Sequence, residues 1–490
     1  MDTIHIRGGV ALQGKVCIQG SKNATLPVLA ATLLNGEVSY IGNCPRIADV
    51  YAMAGLLQSL GCVVNWQENG LTVDSSKVRR GDICSEAVRG MRSSLCLLGA
   101  MLGRCNEVVM EYPGGCVIGS RPIDLHITAL RQMGVEFSEE GGVLHATADR
   151  LHGAEIHMPK PSVGATENII LAAVMAEGDT ILDGAAREPE IEALCRYLQL
   201  CGAEIDGAGT DRLVIRGGKK LYGADFEVPA DRIVAGTYLM ACMGTGGNIF
   251  LENAPVGELG AVLELAEQMG GKLCSSDSGV YVQGPERTLA VKQIVTAPYP
   301  GFPTDLQSLV LAVETIADGE TLVEETIFEN RFRVVEELRR MGGDIEQLDA
   351  FRVRVRGVER LKGAEVTAKE LRGGAALVVA GLMADGRTTV SGCPYIYRGY
   401  ENICRDLREL GARVISVSEE EIWSDTAGHR CACRHIARWR LLYKDHIHGE
   451  HRVCGGKCPL YRGRDQGHCH ERISGRQFAV PLAEIPKQGH

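Results

Sequence analysis

A helix-closing glycine recurs six times along this chain. Leu60-Gly61, Met133-Gly134, Cys201-Gly202, Met269-Gly270, Met341-Gly342 and Leu410-Gly411 each end an amphipathic stretch, and the glycines lie 73, 68, 68, 72 and 69 residues apart. Glycine after a helix is a stop signal, because it enters the left-handed conformation at little cost. So regular a spacing makes the chain an array of six related units, which excludes most other architectures of this length. The wording of the units recurs as well. Leu26-Pro-Val-Leu-Ala-Ala-Thr-Leu-Leu34 corresponds to Ile169–Gly178, to Leu309–Gly319 and to Ala376–Gly386. These stretches are apolar on nearly every face, which predicts helices buried inside the fold. A glycine and a β-prone run follow, as in Thr180-Ile-Leu and Thr388-Thr-Val. The helix before each closing glycine, such as Ile191–Leu200, is amphipathic and is expected to cover the outside.

Six units divide into two groups of three. The expected fold class is α/β: two similar globules joined by chain crossings near residues 20–22 and 228–231, with a cleft between them as the ligand site. The buried helices begin with small or polar residues: Ser21-Lys22-Asn23, Arg89-Gly90-Met91-Arg92, Ser162–Thr166, Asp231-Arg232, Pro303-Thr304-Asp305 and Arg372-Gly373-Gly374. Helix N-termini expose free N–H groups and a partial positive charge. If all six face one cleft, that cleft favours anions, and Lys22, Arg92, Arg121, Arg372 and Arg398 add full charges to it. The alternative for each is an ordinary capped, solvated helix end.

A chain of 490 residues is long enough for two domains with cores of their own. The formal charge of −10 argues against general nucleic-acid binding, so cations for an anionic ligand must be gathered locally. No run of eighteen apolar residues suggests a membrane span, and Met1-Asp-Thr-Ile-His-Ile-Arg7 does not resemble a signal peptide. The 18 Cys are scattered singly through apolar segments, which fits a reducing cytoplasm better than a disulfide framework. One of them differs. Cys116 lies in Pro113-Gly-Gly-Cys-Val-Ile-Gly-Ser-Arg121, a turn-rich segment that presents a thiol near a cation. It is either a reactive thiol or one more small buried hydrophobe.

The residues that carry a family likeness are Gly20-Ser-Lys22-Asn23-Ala, Gly114-Gly-Cys116, Arg121-Pro-Ile-Asp124-Leu-His126, Ser162-Val-Gly-Ala-Thr166, Ala186-Arg-Glu188-Pro-Glu190, Gly209-Thr-Asp-Arg212, Phe302-Pro-Thr-Asp305, Phe328-Glu-Asn-Arg331 and Arg398-Gly-Tyr-Glu401. Over roughly residues 1–418 the chain resembles the UDP-N-acetylglucosamine 1-carboxyvinyltransferases, which are enolpyruvyl transferases. The resemblance implies two inside-out α/β barrel-like globules, each of three repeated βαβαββ-type units. Domain I would be residues 1–21 plus 230–418, and domain II residues 22–229, carrying a catalytic loop at 112–122. It implies transfer of the enolpyruvyl group of phosphoenolpyruvate to the 3′-hydroxyl of UDP-N-acetylglucosamine by addition and elimination, with release of phosphate. Peptidoglycan synthesis, cell-wall biogenesis, cell shape, cell division and the cell cycle follow as the biological setting.

Under that resemblance Cys116 is the general acid, able to form a covalent adduct, and Asp305 is the base near the sugar hydroxyl. The bland alternative for Asp305 is a helix N-cap. Lys22, Arg121 and Arg398 resemble ligands of the donor's phosphate, with Lys22 and Arg398 also catalytic, and Arg372 resembles the ligand of its carboxylate. Asn23 would touch both substrates. Arg92, Arg121, Pro122, Ile123, Asp124, Leu125, Lys160, Ser162, Val163, Gly164, Asp305 and Ile327 would hold the nucleotide sugar. No cofactor or metal is implied, because cations and helix ends would neutralise the phosphates. Fosfomycin is expected to alkylate Cys116.

Some residues depart from the family pattern. Ala48 stands where some relatives carry Lys, with Arg46 nearby, and Glu370 replaces a common Asp. After Ser418 the pattern stops. The stretch 419–490 holds eight of the 13 His and five of the 18 Cys. No hydrophobic period is visible in it, so disorder or translation beyond the natural end is expected. A small zinc module built on Cys431, Cys433, Cys454, Cys458, His468 and Cys469 is the other reading. The rival activities are the sister transfer to shikimate 3-phosphate and a catalytically silent nucleotide-sugar sensor.

Overall fold

A computed structural model describes residues 2–79, 82–83, 88, 90–112 and 122–417, which form six four-stranded sheets around six buried helices. The first unit shows the plan. The inner helix Lys22–Asn35 leads to strand Val38–Gly42, outer helix Ala48–Ser59, and the hairpin Val63–Gln67 and Gly70–Asp74. The other inner helices are Cys96–Cys105, Val163–Ala173, Arg232–Thr245, Thr304–Glu314 and Leu371–Met383. The glycines that revealed the repeat sit where the outer helices end. Gly61, Gly134, Gly202, Gly270, Gly342 and Gly411 all have φ between +85° and +103°, a region that L side chains rarely enter.

No unit is self-contained. Val38–Gly42 pairs in parallel with Asp225–Glu227, Glu107–Glu111 with Asp82–Ile83, and Asp179–Asp183 with Glu155–His157. The short strand ending one unit therefore edges the sheet of the next, and the third returns to the first. The second set repeats this: Asn248–Glu252 takes Gln13–Cys17, Glu320–Glu324 takes Gln293–Val295, and Arg387–Ser391 takes Glu365–Thr367. The sixth sheet is completed from the start of the chain. Thr3–Arg7 lies between Arg387–Ser391 and Arg413–Val417, antiparallel to both. Most of these exchanged strands have two or three residues, too few to show alternation, so the sequence does not announce them.

Three inner helices pack on one another in each set. All thirteen residues of Leu371–Met383 are buried, as its all-round apolar face requires. One hydrophobic core runs from Ala24 to Val228, and a second combines Ile4–Ile18 with Ala230–Val414. The chain passes between them twice, and the two passages bond to each other. Gly20 bridges Ala230, Ser21 N donates to Pro229 O at 2.8 Å, and Asp231 N donates to Gln19 O at 2.8 Å. A Cβ on Gly20 would fall on the carbonyl of Asn43, so only glycine fits this passage. Asp231 then serves two helices. Its Oδ1 accepts from Ile233 N and Val234 N at 2.8 and 3.0 Å, and its Oδ2 accepts from Lys22 N at 3.0 Å.

One buried carboxyl has no role in this architecture. Glu314 ends the inner helix Thr304–Glu314 at 1% exposure. Its Oε2 accepts from Thr321 Oγ1 at 2.5 Å, while its Oε1 meets no donor among the described residues. Burial pushes this carboxyl up to about 7. The fold thus favours the neutral acid, and that stability is full below the unfolded value of about 4.3 and lost as pH rises through the folded one. Glu314→Gln keeps the site neutral. We expect it to exceed the wild type in stability by roughly 3 kcal/mol at pH 8, with the gap vanishing near pH 4. Urea unfolding at both pH values checks this; a gap that persists in acid would refute it.

Candidate active site

Three charged residues that the family pattern marks, Lys22, Asp305 and Arg372, stand in the first turns of inner helices, and carboxylates tie them to other cations. Asp305 is the second residue of Thr304–Glu314. Its Oδ2 accepts from Arg372 Nη2 at 3.0 Å, and its Oδ1 accepts from Arg331 Nη2 at 2.9 Å. Arg331 also donates Nε and Nη2 to Thr304 O at 3.2 and 3.1 Å. Both guanidiniums are buried, at 2% and 4% side-chain exposure, while Asp305 is 30% exposed. The N-cap alternative for Asp305 does not hold: Pro303 is the cap residue, and no side-chain cap bond forms there. Burial alone would raise the Asp305 carboxyl, but Arg372, Arg331 and Lys22 together hold it well below the usual carboxylate range.

A second carboxylate organises the other two cations. Asp49 Oδ2 accepts from Lys22 Nζ at 2.8 Å, and Arg398 Nε reaches Asp49 Oδ1 at 2.8 Å with Nη2 at 3.2 Å from Oδ2. Sequence reading passed over Asp49. An acid in the first turn of an outer helix reads as a dipole partner, and its arginine lies 349 residues away. Arg331 belonged to a matching motif but drew no assignment. Glu190, within Ala186–Glu190, forms a two-bond pair with Arg232 at 3.1 and 3.2 Å, with both side chains buried, joining residues of the two cores.

The helix N-termini do not form the uniform anion trap that the sequence suggested. Asp231 caps Arg232–Thr245, and Glu370 caps Leu371–Met383 by accepting from Arg372 N at 2.8 Å and from Gly373 N. Two ends are thus already occupied by carboxylates. Ser21 and Ser162 cap Lys22–Asn35 and Val163–Ala173, while Cys96–Cys105, entered through the 3₁₀ turn Arg92–Leu95, and Thr304–Glu314 carry no side-chain cap. The turn at Ser162-Val163-Gly164 is held from behind. Asn168 Nδ2 bonds Gly164 O at 3.1 Å and lies 3.0 Å from Nδ1 of buried His126, and Asn168 Oδ1 accepts from Gly99 N at 2.5 Å.

Other assigned residues are more scattered. Asn23 is half-buried beside Lys22, Arg92 starts its 3₁₀ turn, and Asp124 and Leu125 open helix Asp124–Gln132 after Pro122 and Ile123. Lys160 is exposed, and Ile327 is 36% exposed. Cys116 and Arg121 lie outside the described residues, as does the loop at 113–121, and so does the stretch 419–490. Arg46 does not replace the missing lysine of position 48. Its guanidinium lies 5.1 Å from the Trp66 ring centre and bonds the Gln67 carbonyl. No helix of the described residues is long and apolar enough to cross a membrane.

The fold is shared by solved structures. The enolpyruvyl transferase NikO from Streptomyces tendae superposes with a TM-score of 0.76 over 85% of this chain and 99% of its own, at 24% identity. An EPSP synthase from Acinetobacter baumannii gives 0.67 over 85% of this chain and all of its own, at 19% identity. The family model for EPSP synthase (3-phosphoshikimate 1-carboxyvinyltransferase) matches residues 6–407. Among curated relatives, UDP-N-acetylglucosamine 1-carboxyvinyltransferase 2 of Caldanaerobacter subterraneus subsp. tengcongensis is 45% identical over 417 residues, covering 85% of this chain and all of the relative. The UDP-N-acetylglucosamine 1-carboxyvinyltransferase of Oleidesulfovibrio alaskensis is 44% identical over 423 residues, covering 86% and 100%. The chain belongs to the enolpyruvyl transferase family, in its UDP-N-acetylglucosamine 1-carboxyvinyltransferase group.

The Asp305 cluster sets a stability test. A depressed carboxyl stabilises the fold above its unfolded value of about 3.9, and that contribution is lost as pH falls toward the folded one. Asp305→Asn also leaves two buried guanidiniums without their anion. We expect it to cost on the order of 2 kcal/mol at pH 7, with the deficit shrinking below pH 4. Unfolding curves from pH 7 to pH 3 check this, and a deficit that grows in acid would count against the assignment.

Proposed function

We propose that the protein transfers the enolpyruvyl group of phosphoenolpyruvate to the 3′-hydroxyl of UDP-N-acetylglucosamine and releases phosphate. The observation that carries this reading is the clustering of Lys22, Arg398, Arg372 and Asp305 through shared carboxylates, in a chain of this group. The donor presents a phosphate and a carboxylate on one small carbon frame. Lys22 and Arg398 take the phosphate together with Arg121, and Arg372 takes the carboxylate, with guanidinium forks suited to both groups. Asn23 contacts donor and acceptor. Arg92, Arg121, Pro122 to Leu125, Lys160, Ser162 to Gly164 and Ile327 hold the nucleotide sugar, its diphosphate meeting the N–H groups that begin helix Val163–Ala173.

The reaction needs a proton delivered to the donor's methylene carbon and another removed from the sugar hydroxyl. Cys116 supplies the first and Asp305 removes the second. Addition gives a tetrahedral ketal, and loss of phosphate together with a proton from the new methyl group, returned to the Cys116 thiolate, restores the double bond. Asp305 locked between two guanidiniums is a weak base. When the donor's carboxylate draws on Arg372, that guanidinium shares its charge between two anions, and Asp305 becomes more basic at the moment the acceptor is in place. The cellular setting is the cytoplasm, at the first committed step of peptidoglycan synthesis, with the consequences for cell shape and division that follow from wall supply.

Phosphate release from phosphoenolpyruvate tests the reading. It should depend on UDP-N-acetylglucosamine, and release with shikimate 3-phosphate instead would assign the sister transfer for which the family model is named. Cys116→Ser and saturating fosfomycin should each remove turnover, by about a thousandfold for the loss of a general acid. Full activity after either treatment rules out Cys116 as the acid. Each sheet finds its four strands within residues 3–417, so a chain ended after Ser418 should keep its activity.

A further inference from the structure

Asp49 is a buried carboxylate that neither caps a helix through a side-chain bond nor has a part in the reaction just described. It is the second residue of outer helix Ala48–Ser59, and its side chain is 5% exposed. Its two oxygens hold Lys22 Nζ and the Nε edge of Arg398. Those cations come from different cores: Lys22 begins the inner helix that leads into the first, and Arg398 follows the short helix Cys393–Ile396 of the second. Two cations that must meet one phosphate repel each other, and each side chain alone has many rotamers.

We propose that Asp49 is a positioning residue for the donor's phosphate, a carboxylate that holds Lys22 and Arg398 side by side before the substrate arrives. Its own place is fixed by bonds across the same junction. Ala48 N donates to Tyr397 O at 3.0 Å, Arg46 N donates to Glu401 Oε1 at 2.5 Å, and Glu401 N donates to Gln19 Oε1 at 2.9 Å. The carboxylate is thus tied on both sides of Arg398 and needs no substrate to be set. Burial would raise its carboxyl, but Lys22 and Arg398 hold it below the usual value, so it stays an anion. One negative and two positive charges leave a net positive pair for a phosphate. Asp49 takes one edge of the Arg398 guanidinium and one of the three ammonium hydrogens of Lys22, fewer donors than either cation carries.

This inference rests on the donor reading above, and the test separates the two. Asp49→Asn keeps the shape and removes the charge. In the full-length protein we expect kcat/KM for phosphoenolpyruvate to fall about a hundredfold, the size expected when one member of a buried charge cluster is removed. The KM for UDP-N-acetylglucosamine should move by less than about threefold, since uniform damage would shift both substrates. Asp49→Glu should recover part of the loss. Asp49→Asn added to Arg398→Met should cost little beyond Arg398→Met alone, since residues acting as one unit are not additive. Unchanged donor kinetics, tighter donor binding, or equal losses for both substrates would overturn the positioning role. If the wild type shows no turnover, the donor reading fails instead. Inorganic phosphate should then still raise the melting temperature of the wild type and not of Asp49→Asn, and equal shifts in both would overturn the inference.

Discussion

Helices that are apolar on every side can carry chemistry only at their ends. The inner helices of this protein are buried along nearly their whole length, and Leu371–Met383 has no exposed residue. The charged groups assigned to the site on these helices stand in first turns, where N–H groups are unsatisfied and the chain enters from a sheet. Lys22 and Arg232 are the first residues of their helices, and Asp305 and Arg372 are the second residues of theirs. The site is less a decoration of the fold than a consequence of where this packing lets charge stand.

Charge in such a place must be compensated. A buried guanidinium without an anion would cost several kcal/mol. Asp305 answers Arg331 and Arg372, Asp49 answers Lys22 and Arg398, and Glu190 answers Arg232. Asp231 and Glu370 satisfy helix ends that would otherwise attract a ligand. Each of these cations is thus held by a carboxylate, while at Asp49 and at Asp305 two cations share one anion and leave local positive charge for a phosphate and a carboxylate. This explains how a chain with net charge −10 can serve anionic substrates.

The sequence carried the architecture through one kind of residue. Six glycines with positive φ marked the ends of six outer helices, and apolar runs such as Ala376–Met383 marked the inner ones. The edge strands stayed hidden, because Glu155–His157 or Asp225–Glu227 is too short to show a period and pairs with a distant partner. The site was legible where a motif is local, as with Phe302–Asp305, and illegible where function depends on a contact across the chain. Asp49 looks like an ordinary first-turn acid until Arg398 is seen against it. The N-cap alternative for Asp305 was reasonable from Pro-Thr-Asp alone; it failed because Arg331 and Arg372 claim the carboxylate.

The placing of Thr3–Arg7 in the sixth sheet has a bearing on how the protein is made. The core between Ala24 and Val228 can pair all of its strands once Asp225–Glu227 has left the ribosome. Thr3–Arg7 has no such early partner, since both of its neighbours belong to the last unit of the array. At 5–20 residues per second the first strand waits roughly 20 to 80 s with its edges open. During that interval it is an unpaired strand carrying Ile4 and Ile6, both fully buried in the finished protein. The nascent chain thus passes through a stage in which one core is formed and the other is not, and its earliest residues are those most in need of shielding.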